Sequence, residues 1–234
     1  MPDPKSILII RLSAIGDVVF ASPLIRALRR RYPDARLSWL VEPPAAPLLQ
    51  HNPDLDRLIV WPKQQWRSWW RERHWLTLWR AYRGFRKELR AGQFDWVIDL
   101  QGLLKSGWLA RMTGAPRRTG LGSKESSGRL MTEVMFRDDA GVRIGSEYYS
   151  LAHALGLDVS SFRMDVALSA GDERFGQDFR QHHGDYAVIC PFTTRPQKHW
   201  REERWPGLAA QLIQRHGLAV VMAGGPADRA TATR

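Results

Sequence analysis

Residues 7–31, ILIIRLSAIGDVVFASPLIRALRRR, constrain the fold of this chain more than any other stretch. Ile7 to Ile10 form an apolar run too short for a helix and rich in β-branched side chains, which predicts a buried strand. Ser13, Ala14, Ile15 and Gly16 then turn the chain, and Asp17 stands at the expected start of a helix, where a carboxylate accepts from free backbone N–H groups and suits the helix dipole. Leu24, Ile25 and Leu28 recur at helical spacing ahead of Arg29, Arg30 and Arg31, while Ser22-Pro23 has the composition of a cap and first helical residue. A strand followed this closely by a helix belongs in a parallel sheet, and the turn after such a strand lies on the carboxyl edge, where α/β proteins bind ligands.

The alternation continues along the chain. Leu37 to Val41, ended by Glu42-Pro43-Pro44, and Leu58 to Val60, closed by Trp61-Pro62, predict two further strands, and Phe94 to Leu100, FDWVIDL, predicts another. Leu104 to Met112 is expected as a helix stopped at Gly114-Ala115-Pro116, Gly120 to Gly128 as a glycine- and serine-rich loop, and Tyr148 to Leu155 as a helix ended by Gly156. From about Ser169 the series restarts with a polar helix, Gly171 to His183, and a strand, Tyr186 to Cys190. The loop PFTTRPQKHW follows, then a helix from Trp205 to His216 with Pro206 in its first turn, then a strand from Leu218 to Ala223 before Gly224-Gly225-Pro226. Short strands alternating with helices predict an α/β fold with parallel sheets covered on both faces, in two domains, 1–168 and 169–234. The second series contains only two strands before Arg234, too few for an independent sheet, so the second domain is expected to be incomplete.

Lysine and arginine exceed aspartate and glutamate by 35 to 24, a net charge of +11, which implies an anionic partner. Nucleic acid, an anionic membrane surface and a phosphorylated substrate all fit that field; the lack of zinc-finger, RRM-like or KH-like patterns means that no nucleic acid is expected. No apolar run approaches the roughly 20 residues of a membrane span, and the N-terminus lacks the order of a signal peptide, so a cytoplasmic location is expected. Cys190, the single cysteine, is expected as a packed thiol in an apolar strand, and the seven histidines show no metal-ligand spacing with it. With no acidic cluster suited to a divalent ion, neither metal nor cofactor is expected.

Residues 63–90 hold nine basic residues against two acids, Glu72 and Glu88, together with five of the eleven tryptophans. Trp75, Leu78, Trp79, Tyr82, Phe85 and Leu89 share one helical face, which predicts an amphipathic helix packed on the sheet. Trp66, Trp69 and Trp70, among Arg67, Arg71 and Arg73, precede that register and are harder to bury. Tryptophan interleaved with arginine suits a membrane interface, and a phosphorylated lipid acceptor asks for the same residues.

Three separated blocks, LSAIGD at 12–17, FDWVIDLQGLLKS at 94–106 and TTRPQKHW at 193–200, occur in an order that resembles glycosyltransferase family 9, the bacterial heptosyltransferases of lipopolysaccharide core synthesis, and most of all its type I members. The resemblance implies a GT-B-type fold of two Rossmann-like domains facing a cleft, the first binding the acceptor and the second mainly the nucleotide sugar. It implies transfer of L-glycero-D-manno-heptose from ADP-heptose to Kdo on lipid A, with the protein peripheral on the inner face of the cytoplasmic membrane. Family members continue to a D-x-G-x-x-H block that helps hold the donor, which this sequence does not contain.

Inverting transfer needs a base to take the acceptor's hydroxyl proton, and the matched position is Asp17. Charge develops on the departing diphosphate, and the positions matched to its stabilisation are Thr193, Thr194 and Lys198. For the acceptor the resemblance points to Arg11, Ser13, Gly16, Arg67, Gln101, Gly102, Lys105 and Lys124. Each has a plainer reading beside it: Asp17 as a helix cap, the threonines as a capping turn, the basic residues as solvated surface charge. Two further classes stay open, a family 9 transferase with another nucleotide sugar or acceptor, and a basic module for anionic lipid or nucleic acid.

Overall fold

The computed structural model describes residues 2–136, 145–164, 166–193, 196–225 and 228–229. The chain forms two compact units, Met1–Leu168 and Ser169–Arg234.

In the first unit β1 (Ser6–Ile10) is followed by α1 (Ile15–Ala21), α2 (Pro23–Arg31), β2 (Arg36–Val41) and β3 (Arg57–Val60). Next come α3 (Lys63–Arg71), α4 (Trp75–Ala91), β4 (Trp96–Asp99), α5 (Leu104–Thr113), β5 (Arg117–Leu121), β6 (Glu133–Met135) and α6 (Ser146–Ala154). The six strands make one parallel sheet in the order β3-β2-β1-β4-β5-β6, with Ile10 of β1 paired to Leu40 on one side and Asp99 on the other. The fold class is α/β.

Every residue of β1 is buried, because successive side chains of a strand enter opposite faces and both faces here are covered. Ile7 and Ile9 pack with Val18, Leu24, Ile25, Leu28, Tyr148 and Leu151, which belong to α1, α2 and α6. Leu8 and Ile10 pack with Phe85, Leu89 and Leu109, from α4 and α5. Each such side chain contributes about 1.5–3 kcal/mol by leaving water, which makes this strand the seam between two cores.

Proline decides one boundary. The helical run after the first turn divides at Ser22, whose hydroxyl donates to the Val19 carbonyl at 2.8 Å, and Pro23 opens α2 as its first residue. Two strands, β5 and β6, had no sequence signal. Residues 120–121, expected in a loop, end β5, whose sequence RRTGL offers one large apolar side chain. Gly120 sits in that strand where a Cβ would stand 2.9 Å from the Met131 side chain.

α4 differs from the amphipathic expectation in where its tryptophans lie, and Trp66 of α3, expected to be hard to bury, finds a place. Trp66 packs edge-on against Trp61 and Phe85, whereas Trp75 and Trp79 are exposed and only Phe85 and Leu89 of α4 are buried. The apolar face of α4 runs past the surface available to cover it.

The second unit contains α7 (Ala170–His183), β7 (Tyr186–Ile189), α8 (Trp205–His216) and β8 (Ala219–Met222), with β7 and β8 parallel. Ser169 caps α7: its hydroxyl accepts from the Asp172 N–H at 3.0 Å and its own N–H donates to the Asp172 carboxylate at 3.1 Å. Cys190, expected inside an apolar strand, follows the end of β7 and is exposed.

Candidate active site

The chain runs from β1 outward through β2 to β3, then crosses back to β4 on the other side of β1. The carboxyl edges of β1 and β4 therefore flank the point where strand order reverses, the place where open α/β sheets leave room for a ligand. The loops that leave these two strands carry Arg11–Ala14 and Leu100–Leu103.

Arg11 is 6% exposed and folds back over the edge. Its Nη1 donates to the Leu100 carbonyl at 2.9 Å, its Nη2 donates to the Asp17 carboxylate, and its guanidinium lies 6.0 Å from the centre of the buried Tyr148 ring. Burial pushes the Tyr148 phenol up from its ordinary range, against the opposing pull of Arg11. Asp17 is the third residue of α1 rather than its cap; its Oδ2 accepts from the Ala14 N–H at 3.2 Å. Both bonds use Oδ2, so Oδ1 has no hydrogen-bond partner among the described residues, on a side chain 43% exposed.

Gln101 ties the two loops together. Its Oε1 accepts from the N–H groups of Leu12 at 3.1 Å and Ser13 at 3.4 Å. Gln101 is itself held by Asp99, whose Oδ1 accepts from the Gln101 N–H at 2.9 Å and the Gly102 N–H at 3.4 Å, while Oδ2 accepts from the Ser106 hydroxyl at 2.8 Å. Asp99 is 1% exposed, and burial raises its pKa to about 6 despite those hydrogen bonds and the nearby Arg11. Gly102 has a φ of +67°, and its carbonyl accepts from the Lys124 N–H at 2.8 Å and the Ser127 hydroxyl at 2.9 Å, which brings the exposed Lys124 to the same edge. Gly16 is exposed at the start of α1.

Glu42, the first residue after β2, gathers two lysines. Its Oε1 accepts from Lys63 Nζ at 3.1 Å and Lys105 Nζ at 3.4 Å, and its N–H donates to the Leu12 carbonyl at 3.0 Å. Burial holds the Lys105 amine below its ordinary pKa and Lys63 adds to this, while Glu42 opposes both.

The structure thus brings Arg11, Ser13, Gly16, Asp17, Gln101, Gly102, Lys105 and Lys124 to one edge. Arg67 is exposed on α3 and makes no bond to them among the described residues. Sequence reasoning missed Glu42, Lys63, Ser106 and Tyr148; the position of Glu42 directly after a predicted strand was the one usable signal. In the second unit Thr193 follows β7, its carbonyl accepting from His199 Nε2 at 2.8 Å, and Lys198 is exposed on a single turn, Pro196–Lys198. Thr194 lies outside the described residues. After β8, Gly224 approaches the Phe192 ring so closely that a Cβ would stand 2.5 Å from it. Among the described residues no group of three or more histidine, cysteine or acidic side chains is placed to hold a metal ion.

A carboxylate anchored through one oxygen and open at the other can accept a proton from a bound hydroxyl. The lysines of the same edge, Lys105 and Lys124, attract phosphate and carboxylate groups.

Residues 82–234 match Glycosyltransferase family 9 (heptosyltransferase). The chain is similar to the lipopolysaccharide core heptosyltransferase OpsX of Haemophilus influenzae, at 25% identity over 97% of this chain and 62% of that protein. It is similar to lipopolysaccharide heptosyltransferase 1 of Pseudomonas aeruginosa, at 29% identity over 97% of this chain and 63% of that protein. Among solved structures, Escherichia coli heptosyltransferase WaaC with ADP-2-deoxy-2-fluoro heptose superposes with a TM-score of 0.77 at 25% identity, covering 98% of this chain and 72% of that one. The chain spans less than two thirds of the length of the two curated relatives.

Proposed function

This chain belongs to glycosyltransferase family 9, and we propose that it moves L-glycero-D-manno-heptose from ADP-heptose to Kdo of lipid A, with inversion, at the inner face of the cytoplasmic membrane. The observation that carries this reading is the Asp17 carboxylate on the sheet's ligand edge, anchored through Oδ2 and with no partner for Oδ1 among the described residues. The acceptor hydroxyl gives its proton to Oδ1 as its oxygen attacks the anomeric carbon. The carbon–oxygen bond to ADP breaks, and its electron pair leaves with the diphosphate.

The first unit takes the acceptor. Arg67, Lys105 and Lys124 meet its carboxylates and phosphates through charge-assisted bonds, and Arg11 holds Asp17 in position. Ser13, Gly16, Gln101 and Gly102 form the backbone frame against which the sugar lies. The second unit takes the nucleotide sugar, where Thr193, Thr194 and Lys198 supply hydrogen bonds and a fixed cation to the charge that develops on ADP. Two findings support the donor assignment: the curated relatives carry the name of lipopolysaccharide heptosyltransferases, and the similar WaaC structure was solved with an ADP-heptose analogue.

The test offers the chain ADP-heptose or UDP-glucose with Kdo-lipid A. The acceptor is followed by mass spectrometry, the new linkage by NMR, and donor binding by calorimetry. Addition of one heptose in inverted configuration, with saturable binding of ADP-heptose alone, is the expected result. Transfer from UDP-glucose, or no binding of ADP-heptose, overturns the donor assignment.

A further inference from the structure

The helical connection between β3 and β4 has to carry the chain from the carboxyl edge of one parallel strand back to the amino edge of the next. α3 sits at the carboxyl edge, where Lys63 reaches Glu42. The end of α4 reaches the opposite edge: Glu88 pairs with Arg57, the first residue of β3, at 2.8 Å, and Leu89 packs with Phe94 just before β4. Seventeen helical residues span about 25 Å, against about 13 Å for the four residues of β4. The first turns of α4 therefore overhang the carboxyl edge, the edge that carries Asp17.

That overhang is aromatic and uncovered. Trp70 is 62% exposed, Trp75 49%, Leu76 73% and Trp79 53%, and the rings of Trp70 and Trp75 meet edge-on at 4.8 Å. Arginines surround them: Arg67, Arg71, Arg73 and Arg80 are exposed, and the Arg83 guanidinium lies 4.6 Å from the Trp79 ring centre. Nine basic residues stand against two acids in residues 63–90, and one of those acids, Glu88, is paired with Arg57, so the outward charge of the segment is positive.

We propose that this α3–α4 corner is a bilayer-docking surface, with Trp70, Trp75, Leu76 and Trp79 seated at headgroup depth in an anionic leaflet and the arginines on lipid phosphates. Indole and guanidinium side by side match that boundary, since the first prefers the headgroup layer and the second its phosphates. Charge complementarity selects the occupant. A neutral protein partner would leave the arginines unpaired, and a nucleic acid would leave Leu76 in water. The inference deepens the acceptor reading above by naming the surface that holds the protein on the leaflet where a lipid-linked acceptor lies. Vesicle binding is measured without donor or acceptor, so either reading can fail alone.

The test is co-sedimentation of the whole chain with phosphatidylcholine vesicles, with and without phosphatidylglycerol. Binding that requires phosphatidylglycerol, weakens with salt and falls by about tenfold or more in Leu76→Ser/Trp79→Ser is expected. In Arg71→Gln/Arg80→Gln the preference for phosphatidylglycerol shrinks, and brominated lipid quenches tryptophan fluorescence in the parent more than in the Leu76/Trp79 variant. Four outcomes overturn the proposal: no binding to either vesicle; equal binding by the Leu76/Trp79 variant; full displacement by inorganic phosphate, which makes this a phosphate site; or a dimer, lost in that variant, with no vesicle binding. All four substituted side chains are exposed, and circular dichroism of each variant checks that the fold is kept.

Discussion

Arg11 and Asp17 form an ion pair with unequal halves: the arginine side chain is 8% accessible and the aspartate side chain 43%. The guanidinium belongs to the core edge and the carboxylate to the surface above it, so the pair fixes a reactive group from behind while leaving its front open. Asp17→Asn keeps the shape and the bond from the Ala14 N–H but cannot take a proton. Turnover is expected to fall by about 10²–10⁴, the range for loss of a general base. Thermal midpoint and ADP-heptose affinity stay near those of the parent. Steady-state kinetics beside calorimetry check this, and retained turnover removes Asp17 from the role.

Arg11→Met tests the rear of the pair. It leaves the buried Leu100 carbonyl without its 2.9 Å donor and Asp17 without its guanidinium. The expected loss is about 1.5–3 kcal/mol in urea unfolding, the worth of a hydrogen bond made by a charged group. Because Asp17 then loses its fixed direction, kcat is expected to fall more than KM rises. A variant as stable as the parent would show that water replaces the donor.

The strand edge was legible in the sequence for a physical reason: β1 is covered on both faces, so its residues are uniformly apolar, and a helix pattern begins a few residues later. The same held for β4, buried along its whole length, through FDWVIDL. β5 escaped because Arg117 stacks on Trp96 through its guanidinium, 4.0 Å from the ring centre, which lets a charged residue occupy a strand position that looks like a loop. In the site, Asp17 stood out as a carboxylate at the start of a predicted helix and Gln101 by lying just after a predicted strand, while Lys105 came from the family resemblance alone. Glu42 and Lys63 did not, because their connection spans 21 residues and exists only once β2 and β3 lie side by side. The tryptophans of α4 share a helical face with Phe85 and Leu89, and periodicity alone does not say where the supporting sheet stops.

Gly102→Ala probes the second loop. The position has a φ of +67°, and an added Cβ would stand 2.8 Å from the Leu121 carbonyl oxygen, a backbone atom that cannot swing away. A loss of about 1–3 kcal/mol is expected for the strained backbone. Transfer should fall further than stability alone predicts, since the Gly102 carbonyl holds Lys124 and Ser127 and its neighbour Gln101 braces the Asp17 loop. Urea unfolding and initial rates, measured well below the thermal midpoint, separate the two effects.

Asp99 makes the stability of the first unit depend on pH in an unusual sense. Its folded carboxyl titrates at about 6, raised by burial from 3.8. Between those values the folded state holds a proton that the unfolded chain has released, so this group adds stability as pH falls from 7 toward 4. The contribution is lost as pH rises through about 6, the reverse of the usual salt-bridged carboxylate. A shift of this size corresponds to about 3 kcal/mol over the whole titration, from below pH 3 to above pH 7. Asp99→Asn retains an oxygen to accept from the Gln101 and Gly102 N–H groups, and its amide can donate to the Ser106 hydroxyl, but it does not titrate. The free energy of urea unfolding of the parent, minus that of the variant, is therefore expected to drop by about 2.4 kcal/mol between pH 4 and pH 7. The subtraction cancels the other carboxylates, which titrate alike in both proteins. A difference that stays level across the window would mean that the buried carboxyl keeps an ordinary affinity for its proton, and that hydrogen bonds from Ser106, Gln101 and Gly102 fully offset its burial.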